Sequence, residues 1–446
     1  MLISPYPGVG LTRLGPGNAD HSLYNLCFVK SLSPSKTTRA LLALALALGA
    51  AAVGSAQTLP SEPIVIGGGR LTIGGDVSAT ISCAQAAGSS SRCTEDTGFF
   101  NYTDYDHSAV RMLRVDVTAA LTVTEHVSIL GEVRSEDGEW PLPYALYLRI
   151  RPWVRHRFDI QAGRIPPTFG AFARRTYTAD NLLIGYPLAY QYLTSLRPDA
   201  LPANADELLR MRGRGWLSSF SIGDSAADRG VPLVSAFRWD TGVQVHAGND
   251  VVEGAVAVTA GTLANPLVSD DNGGKQFAGR VAVRPLPGLA IGASGARGPF
   301  PTRAALQSAG ADHGTFTQSA WGSDLEYSRG YYLIRAEVVV SMWRLPIVQS
   351  PDLSLPLRAT GTSVEGRYKI RPGLYAAARA DHLGFSEITG TSRSEEWDAP
   401  VTRVELGGGY AVQRNLQLKL SFQRNRRAGG RVTKLNVGTA QLVFWF

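Results

Sequence analysis

A short acidic segment carries the residues of this 446-residue chain that are best suited to catalysis. The stretch "NYTDYDHSA" brings Asp104, Asp106 and His107 together, and enzymes use carboxylates and histidines as general acids and bases. A catalytic base must reach its partner through a hydrogen bond, and one segment does not establish that geometry. The later histidines are scattered over the chain. We therefore predict that the protein is not an enzyme, with an enzyme as the alternative.

The cysteines predict a disulfide and no metal site. Cys83 and Cys93 end the sequence "CAQAAGSSSRC" and can close a small loop in an oxidising compartment, with two free thiols as the alternative. No histidine or further cysteine lies at the spacing of zinc ligands. The sequence thus predicts neither a metal nor a cofactor.

An apolar run near the N-terminus predicts export. Lys36 and Arg39 precede "ALLALALALGAAAV", residues 40–53, which is followed by small residues before Gln57. This pattern is typical of a secretory signal peptide, and the run is shorter than the roughly 20 residues of a membrane-spanning helix. We expect residues 1–56 to be an N-terminal extension with a cleaved signal, and residues 57–446 to form the mature domain. The alternative is a buried helix, although the run has no polar face.

Apolar and polar residues alternate along the whole mature chain. In "NLQLKLSFQ", for example, Leu416, Leu418 and Leu420 alternate with Gln417 and Lys419. Such alternation predicts β-strands that have one apolar and one polar face. We count 16–18 strands, because the stretch 213–261 fits either two strands or four.

Short and long connections alternate between these strands. Tight turns such as "SRG" and "RPG" are separated by long polar stretches, the third of which is expected at residues 165–212. Outer-membrane barrels have short periplasmic turns and long extracellular loops. The sequence therefore predicts an all-β fold, a transmembrane antiparallel β-barrel of 16–18 strands.

The chain ends on an apolar strand, with Leu442, Phe444 and Phe446 on one face. This ending resembles the C-terminal signature by which barrels of Gram-negative bacteria are handed to their barrel-assembly machinery. The resemblance implies that these three residues form an assembly signal. It also implies the cell outer membrane as the location, with membrane lipid and lipopolysaccharide as neighbours.

A second resemblance lies in "DIQAGRIPPTFGAFARRTY". Gly163, Arg164, Pro167, Phe169 and Gly170 resemble the strand-to-loop passage of phosphate-selective porins. Thr168 interrupts the Pro-Phe contact of that pattern, and the lysine-rich ladder expected of the family is not visible. The resemblance therefore implies a porin more than it implies phosphate as the solute, and porins of this size are often homotrimers.

In general porins the third loop narrows the pore, so we expect residues 165–212 to form a constriction. Opposite charges across a constriction create a transverse field that discriminates among solutes. A packed surface loop with ordinary ion pairs is the alternative. The predicted constriction residues are Arg174, Arg175, Asp180, Arg197, Asp199 and Arg210.

The polar faces of the strands predict a lumen in which most charges pair. The net charge of +7 falls to about +4 without residues 1–56, which hold four basic residues and one acidic residue. The arginines recur strand by strand and form no stripe with stacking aromatics, so no nucleic-acid partner is expected. The predicted lumen-lining arginines are Arg114, Arg149, Arg151, Arg280, Arg284, Arg335, Arg367, Arg379 and Arg403.

Together these features predict a porin for passive diffusion of small polar or anionic solutes, with a weak preference for anions. The alternatives are a barrel enzyme of the protease or lipase type, which would use the Asp104 segment, and a structural barrel without an open pore.

Overall fold

A computed structural model describes residues 62–86, 113–172, 176–236, 239–312, 316–347, 349–353 and 355–446, all within one compact unit, Pro60–Phe446. The predicted signal peptide, the acidic segment with Asp104, Asp106 and His107, and the predicted disulfide residue Cys93 lie outside these residues. The predicted constriction residues Arg174 and Arg175 lie outside them as well.

Sixteen antiparallel strands form a closed barrel. Each pairs with the next along the chain, and the last pairs with the first, as Phe444 does with Val77. A short strand, Ile64–Ile66, joins the same sheet beside the start of the first barrel strand. In chain order the barrel strands are β1 (Leu71–Ala86), β2 (Leu113–Thr122), β3 (Val127–Glu136), β4 (Leu142–Ile150), β5 (Arg157–Ile165), β6 (Asp240–Gly248), β7 (Val252–Thr259), β8 (Gln276–Leu286), β9 (Leu289–Pro299), β10 (Thr317–Arg329), β11 (Tyr332–Trp343), β12 (Leu357–Arg371), β13 (Leu374–Phe385), β14 (Val401–Gln413), β15 (Leu416–Arg427) and β16 (Lys434–Trp445).

The sequence alternation sets the two faces of each strand. On β15, Leu420 and Phe422 are 57% and 51% exposed, whereas Lys419 and Gln423 are each 1% exposed. Neighbouring side chains of a strand point to opposite faces of the sheet. The exterior is therefore apolar and the interior polar at this height, which is the arrangement of outer-membrane barrels.

The two ends of the barrel differ in the length of their connections. At the short-turn end they are brief, as at residues 287–288, 330–331 and 372–373. At the long-loop end the longest connection, residues 166–239 between β5 and β6, is called the third loop below. The predicted alternation of short and long connections is confirmed.

The third loop extends beyond the predicted residues 165–212. Two stretches that fit barrel strands in the sequence, "GWLSSFSIG" at residues 215–223 and "VPLVSA" at residues 231–236, belong to this loop. Their apolar residues Phe220, Leu233 and Val234 are at most 3% exposed because they pack in a core inside the barrel, not against lipid. This difference fixes the strand number at sixteen.

Short elements shape the loops at the long-loop end. Helix α1 (Leu188–Gln191) and helix α2 (Ala205–Arg210) lie in the third loop, and helix α3 (Arg303–Ser308) lies between β9 and β10. The Asn204 side chain accepts a hydrogen bond from the backbone N–H of Glu207 and so caps α2. In the described part of the chain, no helix has the length and apolar character needed to span a membrane. Two short hairpins join Ala200–Leu201 to Ile222–Gly223 and Glu387–Thr389 to Ser394–Glu396.

The largest apolar core lies between the third loop and the barrel wall. It joins wall residues such as Trp343 and Leu383 to loop residues such as Tyr190, Leu196 and Leu233. All five side chains are at most 1% exposed. The inner wall is therefore apolar near the long-loop end. The predicted polar inner face does not include this part of the wall, because the loop needs an apolar surface on which to pack.

Candidate functional site: the lumen and its third loop

Ion pairs join neighbouring strands on the inner wall. Between β2 and β3, Asp116 accepts hydrogen bonds from Arg114 at 2.8 Å and from Arg134 at 2.5 Å. Arg134 also pairs with Glu132 at 3.1 Å, and all four side chains are at most 7% exposed. Charges buried this deeply need such partners, since an unpaired ion is costly to remove from water.

A second buried network crosses β12, β13 and β14. Arg379 pairs with Glu405 at 2.6 Å and with Glu365 at 3.5 Å, while Arg403 pairs with Asp381 at 2.6 Å. Arg379, Arg403 and Glu405 are at most 1% exposed. The predicted pairing of charges across neighbouring strands is thus observed at this position.

Other ion pairs of the inner wall are more accessible. Arg335 binds Glu326 at 2.8 Å, with 17% and 33% of the two side chains exposed. Arg280 pairs with Asp324, and Arg149 pairs with Asp159 at 3.0 Å while 29% of its side chain is exposed.

Three of the predicted lumen arginines differ from this pattern. Arg284 pairs with Glu253 at 2.9 Å near the short-turn end, and Arg367 lies 5.9 Å from the centre of the Tyr375 ring. Arg151 is exposed in the turn after β4, so it does not belong to the wall. The strand ends at Ile150, so the alternation of inward and outward side chains does not extend to Arg151.

The wall holds the third loop through its main chain. Lys419 donates hydrogen bonds to the carbonyls of Thr178 and Asn181, the latter at 2.6 Å. Arg379 and Arg403 donate in the same way to the carbonyls of Gly185 and Tyr186. These basic side chains therefore satisfy loop carbonyls that are buried away from water.

Acidic wall residues bind the N–H groups of the same loop. Asp76 on β1 accepts from the Thr178 N–H at 3.0 Å, and Glu337 on β11 accepts from the Ala171 N–H at 2.8 Å. Because β1 and β11 are far apart in the strand order, these bonds fix the loop to distant parts of the wall. None of these acceptors can be identified from the sequence, since they depend on the path of the loop.

The segment that resembles phosphate-selective porins builds the entrance to the third loop. Gly163 has φ +129°, and a Cβ there would collide with the Leu146 carbonyl oxygen. Arg164 donates to the carbonyls of Pro143 and Trp239, and Phe169 is fully buried. In this structure these residues have packing roles.

The predicted constriction residues that the structure describes do not all meet at one place. Arg197 is 1% exposed and binds Asp199 at 2.8 Å and the carbonyls of Ser218 and Ala226 at 3.1 and 2.5 Å. Its charge is therefore used inside the loop, which corrects its expected position at the surface of a pore. Arg210 is largely exposed and pairs with Glu207 of the same helix at 3.2 Å, and Asp180 is exposed.

Residues 197–230, called the outer segment below, lie among the other long loops. Asp398 in the loop before β14 accepts from the N–H groups of Ser195 and Gly213, both at 2.7 Å. Burial raises the pKa of Asp398, while the hydrogen bonds from the Gly213, Ala399 and Ser195 N–H groups act in the opposite direction. The Pro198 carbonyl accepts from Thr302 at 2.8 Å. Contacts with several loops thus hold the outer segment.

A cavity of about 370 Å³ lies beside β1 to β4, next to the third loop. Its lining includes Thr118, Glu132, Tyr147, Tyr177 and Trp239. Glu132 accepts a hydrogen bond from the Tyr177 hydroxyl at 2.5 Å, so the loop and the wall meet at its edge.

The remaining sequence predictions concern metals and the disulfide. Within the described ranges, no group of His, Cys, Asp and Glu side chains is arranged to hold a metal ion. Cys83 takes part in a disulfide, and the predicted partner Cys93 lies outside those ranges. At the C-terminus, the Phe444 and Phe446 rings stack at 6.1 Å, and the Phe446 N–H donates to the Gly75 carbonyl at 3.0 Å.

No protein-family model and no curated protein matches the sequence. Among solved structures, the chain is similar to OmpT, an outer membrane protein of Vibrio cholerae, with a TM-score of 0.50 and 13% identity over 88% of this chain and 100% of that one. It is also similar to the anion-selective porin from Comamonas acidovorans, with a TM-score of 0.51 and 9% identity over 84% and 99% of the two chains. OmpF of Salmonella typhi, in a complex with daunomycin, gives a TM-score of 0.50 and 9% identity over 84% and 97%. The chain therefore has the closed antiparallel barrel fold of bacterial outer-membrane proteins, porins among them.

Proposed function

We propose that this protein is an outer-membrane porin through which small hydrophilic solutes diffuse passively. The observation that carries the proposal is the closed barrel of sixteen strands with an apolar exterior and paired charges on its inner wall. Barrels of about this strand number are wide enough to leave an aqueous channel. The similarity in fold to the anion-selective porin and to OmpF supports the same function.

The third loop is the proposed constriction. It binds the wall at β1, β11, β13, β14 and β15, so any path for solutes must pass beside it. We expect a small conductance, because the apolar core between loop and wall excludes water near the long-loop end. The accessible ion pairs, such as Arg335 with Glu326, are the proposed lining of the path.

The proposed preference for anions rests on two adjacent arginines in the sequence of the third loop. Most wall arginines pair with carboxylates, so they contribute little net charge to a path. Arg174 and Arg175 follow each other in the third loop, and the described residues on either side bind Glu337 through Ala171 and Asp76 through Thr178. Cations that line a path attract anions into it, and this is the role that we propose for Arg174 and Arg175.

Single-channel recording tests the function. Residues 57–446 are refolded and inserted into a planar bilayer across a salt gradient. We expect stable single-channel current steps and a reversal potential with the sign of an anion-selective channel. Replacing Arg174 and Arg175 with alanine should move the reversal potential toward cations while leaving the steps open. Arg210→Ala is the matched control, because this exposed arginine pairs with Glu207 within α2. A cation-selective unmodified channel would contradict the proposed preference.

A structural barrel without an open pore is the second candidate. It is favoured by the burial of the third loop, whose residues Phe169, Tyr192 and Leu233 are fully inaccessible to solvent. A folded barrel that gives no current in the same recording would support this candidate. The enzyme alternative would then be tested by replacing Asp104, Asp106 and His107.

The proposed location is the cell outer membrane, after export directed by residues 1–56. The proposed partners are membrane lipid and lipopolysaccharide, the barrel-assembly machinery, and two further copies in a homotrimer. The terminal residues Leu442, Phe444 and Phe446 are the proposed assembly signal. Deleting Phe446 should lower the amount of protein assembled in the outer membrane, which heat-modifiable migration in gels would measure.

A further inference from the structure

Three basic side chains share the outer face of the last two strands, at the long-loop end. On β15, Arg424 and Arg426 are exposed and alternate with Gln423 and Asn425, which are each 1% exposed. On β16, Lys434 is exposed and precedes a buried leucine. Arg426 is the direct partner of Lys434 across the two strands. Arg424, Arg426 and Lys434 are called the basic patch below.

The neighbouring outward positions that the structure describes on β14 and β16 carry no carboxylate. The partners of Arg424 and Arg426 on β14 are Val404 and Thr402, and Arg424 faces Asn436 on β16. Among the residues that the structure describes, no acidic side chain forms an ion pair with the basic patch. Like charges directly opposite each other on adjacent strands destabilise a sheet, so Arg426 and Lys434 repel each other. An anion bound between them would remove this repulsion.

The apolar exterior begins directly below the basic patch. Phe422 is 51% exposed and Leu420 is 57% exposed on the same face of β15. With a rise of about 3.4 Å per residue, Arg424 lies roughly 7 Å beyond Phe422 along the strand. In a membrane, this step from apolar to basic side chains coincides with the step from acyl chains to headgroups.

We propose that the basic patch binds the phosphate groups of an anionic lipid in the leaflet at the long-loop end. The lipid's acyl chains would lie against Leu420 and Phe422, and its phosphates would lie between Arg426 and Lys434. Arginine favours this role because its planar guanidinium can donate two parallel hydrogen bonds to one phosphate. The proposal rests on the proposed membrane location but not on an open pore.

Lipid binding to refolded residues 57–446 in a zwitterionic detergent tests the proposal. The probes are lipid A, which carries two phosphates, and phosphatidylethanolamine, which has no net charge. The combined variant Arg424→Ala, Arg426→Ala and Lys434→Ala should bind lipid A roughly a hundredfold more weakly than the unmodified protein, given what single basic residues contribute near anionic lipid. Its binding of phosphatidylethanolamine should not change. Titration followed by native mass spectrometry measures both.

The matched control removes three exposed basic residues at the short-turn end, Arg329, Lys369 and Arg371. We expect this control to bind lipid A within about twofold of the unmodified protein, because screened charges at the far end of the barrel act weakly. An equal loss in the control would overturn the proposal, since it would show attraction to overall charge. Unchanged binding in the patch variant would overturn it directly, as would displacement of lipid A by an equal concentration of inorganic phosphate.

Heat-modifiable migration in gels shows whether the patch variant has folded. Should the alanine variant not fold, the variant with glutamine at all three positions keeps the long polar stems and is expected to show the same loss. Conductance of the variants separates the two proposals, because the basic patch lies outside the lumen. Lost lipid binding with unchanged single-channel current is the expected combination.

Discussion

Lys419 is a buried amine whose hydrogen-bond acceptors are main-chain carbonyls of the third loop. Its ammonium donates to Thr178 and Asn181, and its side chain is 1% exposed. Replacing it with methionine keeps the stem but leaves two buried carbonyls without a donor. We expect Lys419→Met to lower the free energy of unfolding by about 2 kcal/mol, since each unsatisfied buried group costs roughly 1–3 kcal/mol.

Urea unfolding in lipid vesicles, followed by tryptophan fluorescence, measures this loss. Lys369→Met is the control, because Lys369 is exposed near the short-turn end of β12. Its free energy of unfolding should stay within about 0.5 kcal/mol of the unmodified value, as is usual for surface substitutions. An equal loss in both variants would show that the bonds to the third loop do not contribute specifically.

For single residues, the sequence predicts ion-pair partners on the barrel wall better than it predicts hydrogen-bond partners in the third loop. The pairing of Arg379 with Glu405 could be expected because alternation shows that both side chains face the same side of the sheet. The bond from Arg379 to the Gly185 carbonyl could not, because 194 residues separate the two and no repeating pattern fixes the loop path. Arg197 illustrates the same limit, since its carbonyl acceptors lie 21 and 29 residues away within an irregular segment.

Among the elements, helix α2 is tied to the loop before β14 through a titratable group. The Asp206 carboxylate accepts from the Thr391 N–H at 2.8 Å and from its hydroxyl at 2.5 Å. These two bonds hold the pKa of Asp206 below its ordinary value of 3.8. A lowered pKa stabilises the contact above the ordinary value, and this stabilisation is lost as the pH falls through the folded value. We therefore expect α2 to loosen below about pH 4.

Limited proteolysis with pepsin measures this loosening. The rate of cleavage near α2, divided by the rate of cleavage elsewhere in the chain, should increase from pH 4 to pH 2. Asp206→Asn removes the titrating carboxylate, so its cleavage should be high already at pH 4 and change less with pH. Asp398 does not add to the effect. Burial raises its pKa, so the protonation of Asp398 as the pH falls favours the folded state. A pH dependence as large in the asparagine variant would contradict the role of Asp206.

The barrel strands could be predicted because apolar side chains that face outward alternate with polar side chains that face inward, which gives the sequence a period of two residues. The third loop could not, because its apolar residues also recur at short intervals. Val234 and Phe220 are buried like strand residues, but they pack inside the barrel. The sequence pattern alone does not distinguish sixteen strands from eighteen, because an inward-folded loop and a pair of strands contain apolar residues at similar spacing.

For the whole molecule, the outer segment is a part of the third loop that contacts the other long loops. Its two ends meet, because the Val231 N–H donates to the Leu196 carbonyl at 2.9 Å and the Thr194 N–H donates to the Val231 carbonyl at 3.0 Å. Because these ends meet, two glycines can join Leu196 to Val231 in place of residues 197–230. The wall ion pairs and the bonds from Lys419 lie outside the deleted part.

We expect this deletion to raise the single-channel current at least twofold, because it removes the chain that packs against the other long loops and leaves the barrel closed by β1 and β16. The Lys419→Met variant with the full third loop is the companion measurement, since it weakens the inner part of the loop alone. A larger current in the deletion variant and a nearly unchanged current in Lys419→Met would place the limiting barrier in the outer segment. If instead only Lys419→Met conducts more, the barrier lies deeper, where the loop main chain meets the inner wall.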